Sequence, residues 1–328
     1  METLINCPVC NHNKSKLFLS CIDYTVSRET FRIVQCNVCG FRFTNPSPDE
    51  KEIGKYYESE EYISHSGTNK GIVNKMYGIV RNYTIMQKVK LINKQLQTSN
   101  PKLQTPNSEL RTILDIGCGT GEFLNACKTN GWNVTGIEPS GIARKHAKDT
   151  YGIEPLAPEK LFEINEKKFS AITLWHVLEH IHQLDKTIEQ IKKILLDEGV
   201  LIIAVPNCNS SDAKQYGKYW AGYDVPRHIY HFTKKDIKKL FARFGFGLRV
   251  FSKESNATPS GKEALPMKFD SYYVSLLSEK YKIGSSNLFV RMGSYGAGFL
   301  SGLKSNLSAG NNDGGYSSQI YILKKENS

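Results

Sequence analysis

The sequence, of 328 residues, lacks several features that define other classes of protein. No apolar run reaches the roughly 18–20 residues of a membrane span. The first residues, METLINCPVC, lack the basic and then apolar segments of a secretory signal peptide. Internal repeats are absent, and low complexity is confined to a Gly-, Ser- and Asn-rich stretch near 305–315. These absences argue against a membrane-spanning, secreted or repeat protein. We therefore expect a cytoplasmic location, where the eight cysteines stay reduced.

Acidic residues are missing from one long segment. Between Tyr62 and Ser108 the chain has seven Lys or Arg and no Asp or Glu. The formal net charge of the whole chain is +11. Residues 71–97 place apolar side chains at helical spacing, with basic residues on the other side. Such a segment attracts anions, including phosphates, nucleotide-sugars, nucleic acid or an acidic lipid surface. The alternative is a solvated helix face.

Four of the cysteines form two C-x-x-C pairs. Thiolates at positions i and i+3 of a tight turn face the same ion, and two such turns complete a tetrahedral zinc site. We predict a structural zinc ribbon over residues 1–45. The alternatives are a redox C-x-x-C, which needs only one pair, and incidental buried thiols. The predicted ligands are Cys7, Cys10, Cys36 and Cys39. The other four cysteines, which we expect to act as small apolar residues, are Cys21, Cys118, Cys127 and Cys208.

Residues 113–124, ILDIGCGTGEFL, have the pattern of a strand, a tight turn and a helix start. Without Cβ atoms at three alternate glycines, the backbone turns sharply and lets a ligand approach the N–H donors of the helix start. A dinucleotide fingerprint needs its third glycine where the chain has Glu122, so an NAD cofactor fits poorly. The next strand, 133–138, ends in Glu138, a carboxylate suited to the two hydroxyls of an adenosine ribose.

With these residues, the chain from about 111 to 251 resembles the class I S-adenosylmethionine-dependent methyltransferases. Three further segments carry the resemblance: FSAITLWHVLEHI (169–181), LLDEGVLIIAVPN (195–207) and DVPRHIYHFT (224–233). It implies a Rossmann-like, doubly wound α/β fold with a seven-stranded, mostly parallel sheet, whose last strand is antiparallel. It also implies that S-adenosylmethionine is held at its methionine end by the motif and at its ribose by Glu138. We place Trp175 in the same cofactor site. The motif residues are Asp115, Gly117, Gly119 and Gly121.

The predicted organisation has three parts. The zinc ribbon (1–45) is followed by a basic, helical connecting or lid segment (46–110) and by the methyltransferase domain (111–328). A helical insertion at about 254–315 shapes the substrate site or contacts a membrane surface or a second subunit; the sequence does not choose among these. The predicted strands are 31–36, 41–45, 112–116, 133–138, 153–156, 170–175, 199–205, 247–253 and 317–324. The predicted helices are 71–97, 121–130, 140–150, 185–196 and 234–243.

Polar residues follow the strand 170–175, at the edge where an open parallel sheet binds its ligand. The motif H-x-x-E-H at 176–180 also occurs in one group of zinc peptidases, but those enzymes carry it inside a long helix. A nearer match is the E-x-x-E-H motif of ubiquinone-biosynthesis and small-RNA methyltransferases, in which it binds a divalent metal. Glu179 and His180 match that motif and His176 replaces its first Glu, which weakens the case for Mg²⁺. The alternative is a His/Glu pair that caps a helix and packs under the cofactor.

A second polar cluster lies at 224–232. His228 is our first choice for a general base, with His176 and His231 as the other candidates. Arg227 either pairs with an anionic substrate group or forms a structural ion pair with Asp224. Three aromatic residues nearby form either a wall for a ring substrate or plain packing: Tyr219, Trp220 and Tyr223.

The sequence thus predicts an S-adenosylmethionine-dependent methyltransferase with a structural zinc ion. We expect O-methylation of a small-molecule, sugar or lipid-linked acceptor that is anionic or hydroxylated. The His/Glu cluster at His176, Glu179 and His180 is the candidate site for Mg²⁺. An RNA methyltransferase is the alternative enzyme, motivated by the basic segment and the ribbon. A non-catalytic cofactor-binding or interaction module is the third interpretation. The acceptor and the oligomeric state are not encoded in any recognisable motif.

Overall fold

Two β-sheets and the helices around them organise the chain. A computed structural model describes residues 1–58, 72–97, 111–249, 265–266, 278, 281–282 and 315–326. Its strands are β1 (Ser15–Ile22), β2 (Thr30–Cys36), β3 (Arg42–Thr44), β4 (Thr112–Ile116), β5 (Asn133–Ile137), β6 (Phe169–Trp175), β7 (Leu195–Pro206), β8 (Tyr230–His231), β9 (Phe246–Leu248), β10 (Leu265–Pro266) and β11 (Ser318–Lys325). Its α-helices are α1 (Ile72–Gln97), α2 (Glu122–Thr129), α3 (Gly141–Tyr151), α4 (Leu184–Ile194), α5 (Ser211–Tyr216) and α6 (Lys234–Ala242).

The larger sheet has seven strands in the order β10-β11-β7-β6-β4-β5, with β9 beside β10 on the same edge of β11. Strands β4 to β7 pair in parallel, and β11 runs antiparallel to its neighbours on both sides. This confirms the predicted mostly parallel sheet and its antiparallel last strand. The βα alternation brings the carboxyl ends of β4, β5 and β6 to one edge, which is where the candidate site lies.

The predicted strand at 153–156 is wrong. Only an isolated parallel bridge between Ile137 and Leu156 forms there. Pro155 and Pro158 flank Leu156 and have no N–H to donate to a ladder, so pairing stops after one residue. The predicted strand at 247–253 begins at Phe246 and pairs as far as Leu248, and its last four residues lie outside the described part.

The smaller sheet is antiparallel, in the order β1-β2-β3-β8. Strand β1 was not predicted, because most of its side chains are exposed and the alternation of polar and apolar residues is weak. Strand β8 comes from the 224–233 segment and pairs with β3. The N-terminal ribbon therefore shares a sheet with a loop of the methyltransferase segment. The predicted domain boundaries stay a prediction.

Apolar residues cover both faces of the larger sheet. On one face Leu114 and Leu174 pack in a cluster with α4, α6 and ribbon residues such as Phe41. On the other face Ile113 and Ala171 pack in a cluster with α1 and α2. This layering of helices on two faces is the doubly wound arrangement that the sequence predicts.

The long helix α1 confirms the prediction at 71–97, although Tyr83 and Met86 on it are exposed. Most of the predicted insertion at 254–315 and parts of the basic segment at 62–108 lie outside the described residues. Among the helices that the structure describes, none has the length and apolar character to cross a bilayer.

Candidate active site

The turn after β4 is shaped by its glycines. Gly117 has φ +75°, and a Cβ built on it would lie 2.3 Å from Cγ2 of Val177. Gly117 N and Cys118 N both donate to the carbonyl of Ile137, which ties the turn to the end of β5. Gly119 also has a positive φ, of +54°, but a Cβ there would meet no atom within 4 Å. The turn is therefore packed against protein at Gly117 and open at Gly119, as expected if a ligand lies there.

Asp115 lies at the buried base of this turn and is 2% exposed. Its Oδ1 accepts a 2.5 Å hydrogen bond from the Thr173 hydroxyl on the neighbouring strand. Burial raises the pKa of Asp115 to about 7, although the Thr173 hydrogen bond and the charge of Lys88 act in the opposite direction. A cation bound beside Asp115 would therefore favour the ionised form of its carboxyl group.

Glu138 faces the same turn from the end of β5. Its Oε2 accepts a 2.8 Å hydrogen bond from Gly119 N, and its Oε1 accepts one of 2.9 Å from Ser140 N. Burial raises the pKa of Glu138, although these two N–H donors favour the ionised form. Each carboxylate oxygen keeps a second lone pair, so two hydroxyls can be bound beside Gly119.

Trp175, at the end of β6, is half-buried and makes an edge-to-face contact with Phe123, with ring centroids 5.7 Å apart. Its indole Nε1 is buried and has no hydrogen-bond partner among the described residues. A buried donor without a partner is uncommon in folded proteins and points to a missing acceptor. Because β4 and β6 are parallel neighbours, Trp175 lies at the same sheet edge as the glycine turn.

The segment after β6 places a buried carboxylate beside the turn. His176 has φ +58°, and residues 178–180 form one short 3₁₀ turn rather than the long helix of a zinc peptidase. Val177, which contacts Gly117, links this segment directly to the glycine turn. Glu179 is fully buried, and neither carboxylate oxygen has a hydrogen-bond partner in the described structure. Burial alone raises the pKa of Glu179, but the surrounding imidazoles outweigh it and lower the pKa below its ordinary value.

The imidazole rings of His228 and His180 lie beside this carboxylate, and the Nδ1 atom of each ring is close to a backbone carbonyl. His228 Nδ1 lies 2.9 Å from the carbonyl of Gly222, and His180 Nδ1 lies 2.9 Å from the carbonyl of Arg227. A carbonyl only accepts hydrogen bonds, so both rings carry their proton on Nδ1 when neutral. His228 Nε2 is 3.9 Å from Glu179 Oε1, and the two rings contact each other edge to face at 4.6 Å. Burial, and after it the charge of His228, lower the pKa of His180 to about 4.

The described residues contain one group of N and O donors with metal-ligand spacing, in which Glu179, His180 and His228 place their ligand atoms within 4.8 Å of one another. The sequence prediction named His176 with Glu179 and His180, and the structure brings in His228 instead. His176 Nδ1 lies 3.4 Å from Glu179 Oε1 but is outside the group of three. The loop at 224–228 is distant in sequence, so spacing alone did not reveal this partner.

The remaining polar residues of the second cluster have structural contacts. Arg227 is 1% exposed, and its guanidinium donates to Asp224 Oδ1 at 2.6 Å and to Asp23 Oδ1 at 3.0 Å. This confirms the structural ion pair and adds a partner from the β1–β2 turn. His231, in β8, is 3% exposed and bonds Thr44 Oγ1 at 3.0 Å. Its burial lowers its pKa well below the ordinary value, and His228 and Arg42 lower it further.

The aromatic residues and the spare cysteines are mostly core. Trp220 and Tyr223 are 2% and 3% exposed and pack edge to face, which supports the packing interpretation for these two. The four cysteines outside the C-x-x-C pairs are buried, as expected for small apolar residues.

Tyr57 was not predicted to be part of the site, yet its hydroxyl lies 3.0 Å from His180 Nδ1. No motif distinguishes Tyr57, because its role depends on how the N-terminal segment folds back over the site.

The four cysteines of the C-x-x-C pairs meet in one cluster, as the sequence predicts. The two turns have matching geometry: Asn11 N donates to Cys7 O and Gly40 N donates to Cys36 O, and both donor residues have positive φ. The Sγ atoms of Cys7 and Cys39 are 3.5 Å apart, as are those of Cys10 and Cys36. A tetrahedral Zn²⁺ with Zn–S distances of about 2.3 Å separates its sulfurs by about 3.8 Å, so the cluster is close to the required size.

Comparison with known proteins agrees with this geometry. Residues 86–249, half of the chain, match the model of the methyltransferase domain family. The chain belongs to this family, and its sheet is that of the class I S-adenosylmethionine-dependent methyltransferases.

Relatives and solved structures of the same class are similar over part of the chain. A ubiquinone biosynthesis O-methyltransferase of Actinobacillus pleuropneumoniae serotype 7 is 33% identical over 108 residues, which are 30% of this chain and 46% of the relative. The corresponding Dechloromonas aromatica protein is 28% identical over 106 residues, again 30% and 46% of the two chains. The chain thus matches less than half of the length of these relatives. Magnesium protoporphyrin IX methyltransferase from Synechocystis has a TM-score of 0.48 at 14% identity, with 85% of this chain and 100% of that chain covered. A putative sarcosine dimethylglycine methyltransferase from Galdieria sulphuraria has a TM-score of 0.49 at 11% identity, covering 74% and 86%.

The residues at the sheet edge fit S-adenosylmethionine. Gly119 leaves space for a ligand, and Glu138 has lone pairs for two ribose hydroxyls beside it. Asp115 supplies a buried carboxyl for a cationic amine, and Trp175 an unused indole donor. These are the groups that the sequence assigned to the cofactor.

Proposed function

We propose that this protein is an S-adenosylmethionine-dependent O-methyltransferase that acts on a hydroxyl of a small acceptor. The observation that carries the proposal is the contact between Gly117 and Val177, because it joins the candidate cofactor turn to the segment bearing Glu179. The relatives named as ubiquinone biosynthesis O-methyltransferases support a phenolic or similar hydroxyl as the acceptor. A sugar or lipid-linked acceptor belongs to the same chemical class.

In this proposal the protein holds the cofactor through Asp115, Gly119, Glu138 and Trp175. The bound cofactor supplies an electrophilic methyl group on a sulfonium. A hydroxyl is a weak nucleophile, so the protein must remove its proton as the reaction proceeds. Much of the remaining rate enhancement comes from alignment of the two reactants.

His228 is the proposed general base. Its Nδ1–H is fixed on the Gly222 carbonyl, which leaves the Nε2 lone pair to accept the hydroxyl proton. The buried Glu179 carboxylate, 3.9 Å from Nε2, stabilises the imidazolium that results. His231 is a weaker candidate because its ring is engaged with Thr44 in the core.

A divalent metal at Glu179, His180 and His228 is the alternative way to activate the hydroxyl. It is motivated by the buried Glu179 carboxylate, because neither of its oxygens accepts a hydrogen bond from the described residues. Two imidazole ligands suit Zn²⁺, Mn²⁺ or Fe²⁺ better than Mg²⁺. Such an ion would lower the pKa of a bound hydroxyl, so that its proton could pass to water without a protein base.

We also propose that the Cys7, Cys10, Cys36 and Cys39 cluster binds a structural Zn²⁺. Four thiolates in tetrahedral spacing close the coordination shell, so no position is left for a substrate. The ion would stabilise a ribbon that is short for an independent core.

Transfer of labelled methyl groups tests the activity. Purified protein with labelled S-adenosylmethionine is offered phenols, catechols, sugars and total RNA in parallel. Label in a small hydroxylated acceptor supports the proposal, and label in RNA alone favours an RNA methyltransferase. Binding of the cofactor without transfer to any acceptor favours the non-catalytic interpretation.

Variants separate the two ways of activating the hydroxyl. His228→Ala should lower turnover about 100-fold or more while cofactor affinity is kept. The matched control is His146→Ala, since His146 is exposed on α3. Turnover that persists in chelator supports the base, and turnover that chelator abolishes and Mn²⁺ or Zn²⁺ restores supports the metal. Unchanged turnover in His228→Ala would contradict both roles.

A further inference from the structure

Helix α1 crosses the face of the sheet on which Asp115 lies. Its residues Val89, Ile92 and Leu96 are buried in the cluster that contains Ile113 and Ala171. Because side chains in a strand alternate between faces, Asp115 is on the same face as Ile113. The helix that precedes the methyltransferase motif in sequence is thus packed beside the candidate cofactor site.

Lys88 lies at the point where α1 passes the carboxyl edge of the sheet. Asp115 pairs with Thr173 in the parallel register of β4 and β6, and Trp175 follows two residues later on the same face. The Lys88 Nζ atom is 4.3 Å from the Trp175 ring centroid and 6.0 Å from that of Phe123. Lys88 is half-buried, and its ammonium group lies over the Trp175 indole at the sheet edge that carries Asp115.

Contacts on both sides of Lys88 fix this part of the helix. Towards its N-terminus, Arg81 forms an ion pair with Glu122 at the start of α2. Towards its C-terminus, Asn93 Oδ1 accepts hydrogen bonds from Arg111 Nη2 at 2.8 Å and from Trp132 Nε1 at 3.1 Å. The position of Lys88 is therefore set by the fold on either side.

We propose that Lys88 binds the carboxylate of the methionine end of S-adenosylmethionine, while Asp115 binds its ammonium group; this inference rests on the proposed function. The methionine end carries one positive and one negative group on the same carbon, so it needs a protein anion and a protein cation close together. Asp115 and Lys88 provide that pair around Trp175.

Binding of two cofactor forms tests the proposal. S-adenosylmethionine and its decarboxylated derivative, which keeps the amine and the sulfonium, are compared by calorimetry on the full-length protein. The wild type should bind the decarboxylated form about tenfold or more weakly, because a charge-assisted contact is lost. Lys88→Met should weaken the binding of S-adenosylmethionine by the same factor of about tenfold or more. It should leave the affinity for the decarboxylated form unchanged. Lys88→Arg should restore much of the discrimination, and the exposed Lys90 gives the matched control, Lys90→Met.

The outcomes separate this inference from the function on which it rests. Equal weakening of both ligands in Lys88→Met, in protein whose circular dichroism is unchanged, would show that Lys88 only supports packing and would overturn the inference. A wild type that binds both forms equally would also overturn it. A wild type that binds neither form would overturn the proposed function itself.

Discussion

Replacement of Gly117 tests whether the cofactor turn is held against the His/Glu segment by steric fit. In Gly117→Ala, the new Cβ would lie 2.3 Å from Cγ2 of Val177 at a φ of +75°. A left-handed conformation costs a residue with a Cβ about 1–2 kcal/mol. Overpacking against a side chain adds about 1–3 kcal/mol. We therefore expect the free energy of unfolding to fall by about 2–5 kcal/mol.

Gly119 provides the matched control in the same turn. Its φ of +54° imposes a similar backbone cost, but a Cβ there meets nothing within 4 Å. Gly119→Ala should therefore lower the free energy of unfolding by only about 1–2 kcal/mol. It should nevertheless weaken S-adenosylmethionine binding, because the methyl group occupies the space left for the ligand.

Urea unfolding followed by tryptophan fluorescence measures these differences, provided that the slope of the transition is constant among the variants. Val177→Ala is then combined with Gly117→Ala. If the clash is the main cost, the double variant should regain about 1–3 kcal/mol relative to the sum of the single variants. Additive effects, or equal losses in Gly117→Ala and Gly119→Ala, would refute the steric explanation.

Four further predictions follow from individual side chains. Burial raises the pKa of Asp115 to about 7, so the affinity for S-adenosylmethionine should increase from pH 5.5 to 7 and binding should release a proton. Calorimetry in two buffers measures both effects, and Asp115→Asn should remove them. Glu138→Gln should weaken cofactor binding by about 1.5–3 kcal/mol, and an unchanged dissociation constant would refute the ribose assignment. Metal analysis should find about one zinc per chain, and Cys36→Ser should lose it; less than a third of that in intact wild type would contradict the zinc site. Arg227→Met should lower the free energy of unfolding by about 3–5 kcal/mol, because it leaves Asp23 buried without its cation; a loss below 1 kcal/mol in urea unfolding would contradict this.

The parts of the fold that the sequence predicted well depend on local patterns. The strand, turn and helix at 112–129 follow from an apolar run, three glycines and an amphipathic start, and the structure confirms them within one or two residues. The predicted strand at 153–156 failed because Pro155 and Pro158 cannot donate to a ladder, a signal that the prediction from the apolar pattern did not weigh. Strand β1 was missed because an exposed edge strand has little periodicity.

In the candidate site too, the residues within a local motif were predicted, and those brought together by tertiary packing were not. Asp115 and Glu138 are recognisable because they lie at fixed distances from the glycines of one motif. The partnership of Glu179 with His228 depends on a loop about fifty residues away, and Tyr57 reaches His180 from the N-terminal segment. Asp23 and Lys88 lie outside every recognisable motif. Contacts of this kind come from tertiary packing, so spacing within a single sequence could not reveal them.

The ribbon and the candidate base are connected through a short path in the structure. Strand β3 begins three residues after Cys39 and ends at Thr44, whose hydroxyl donates to the carbonyl of His228 at 2.8 Å. Thr44 N also donates to the carbonyl of Ile229, so two consecutive carbonyls of the histidine loop are held by one ribbon residue. On the other side of the loop, Arg227 is bound by Asp23 from the β1–β2 turn. The N-terminal ribbon therefore acts as a scaffold for the half of the site that carries the histidines, whereas Asp115 and Glu138 are held by the larger sheet itself.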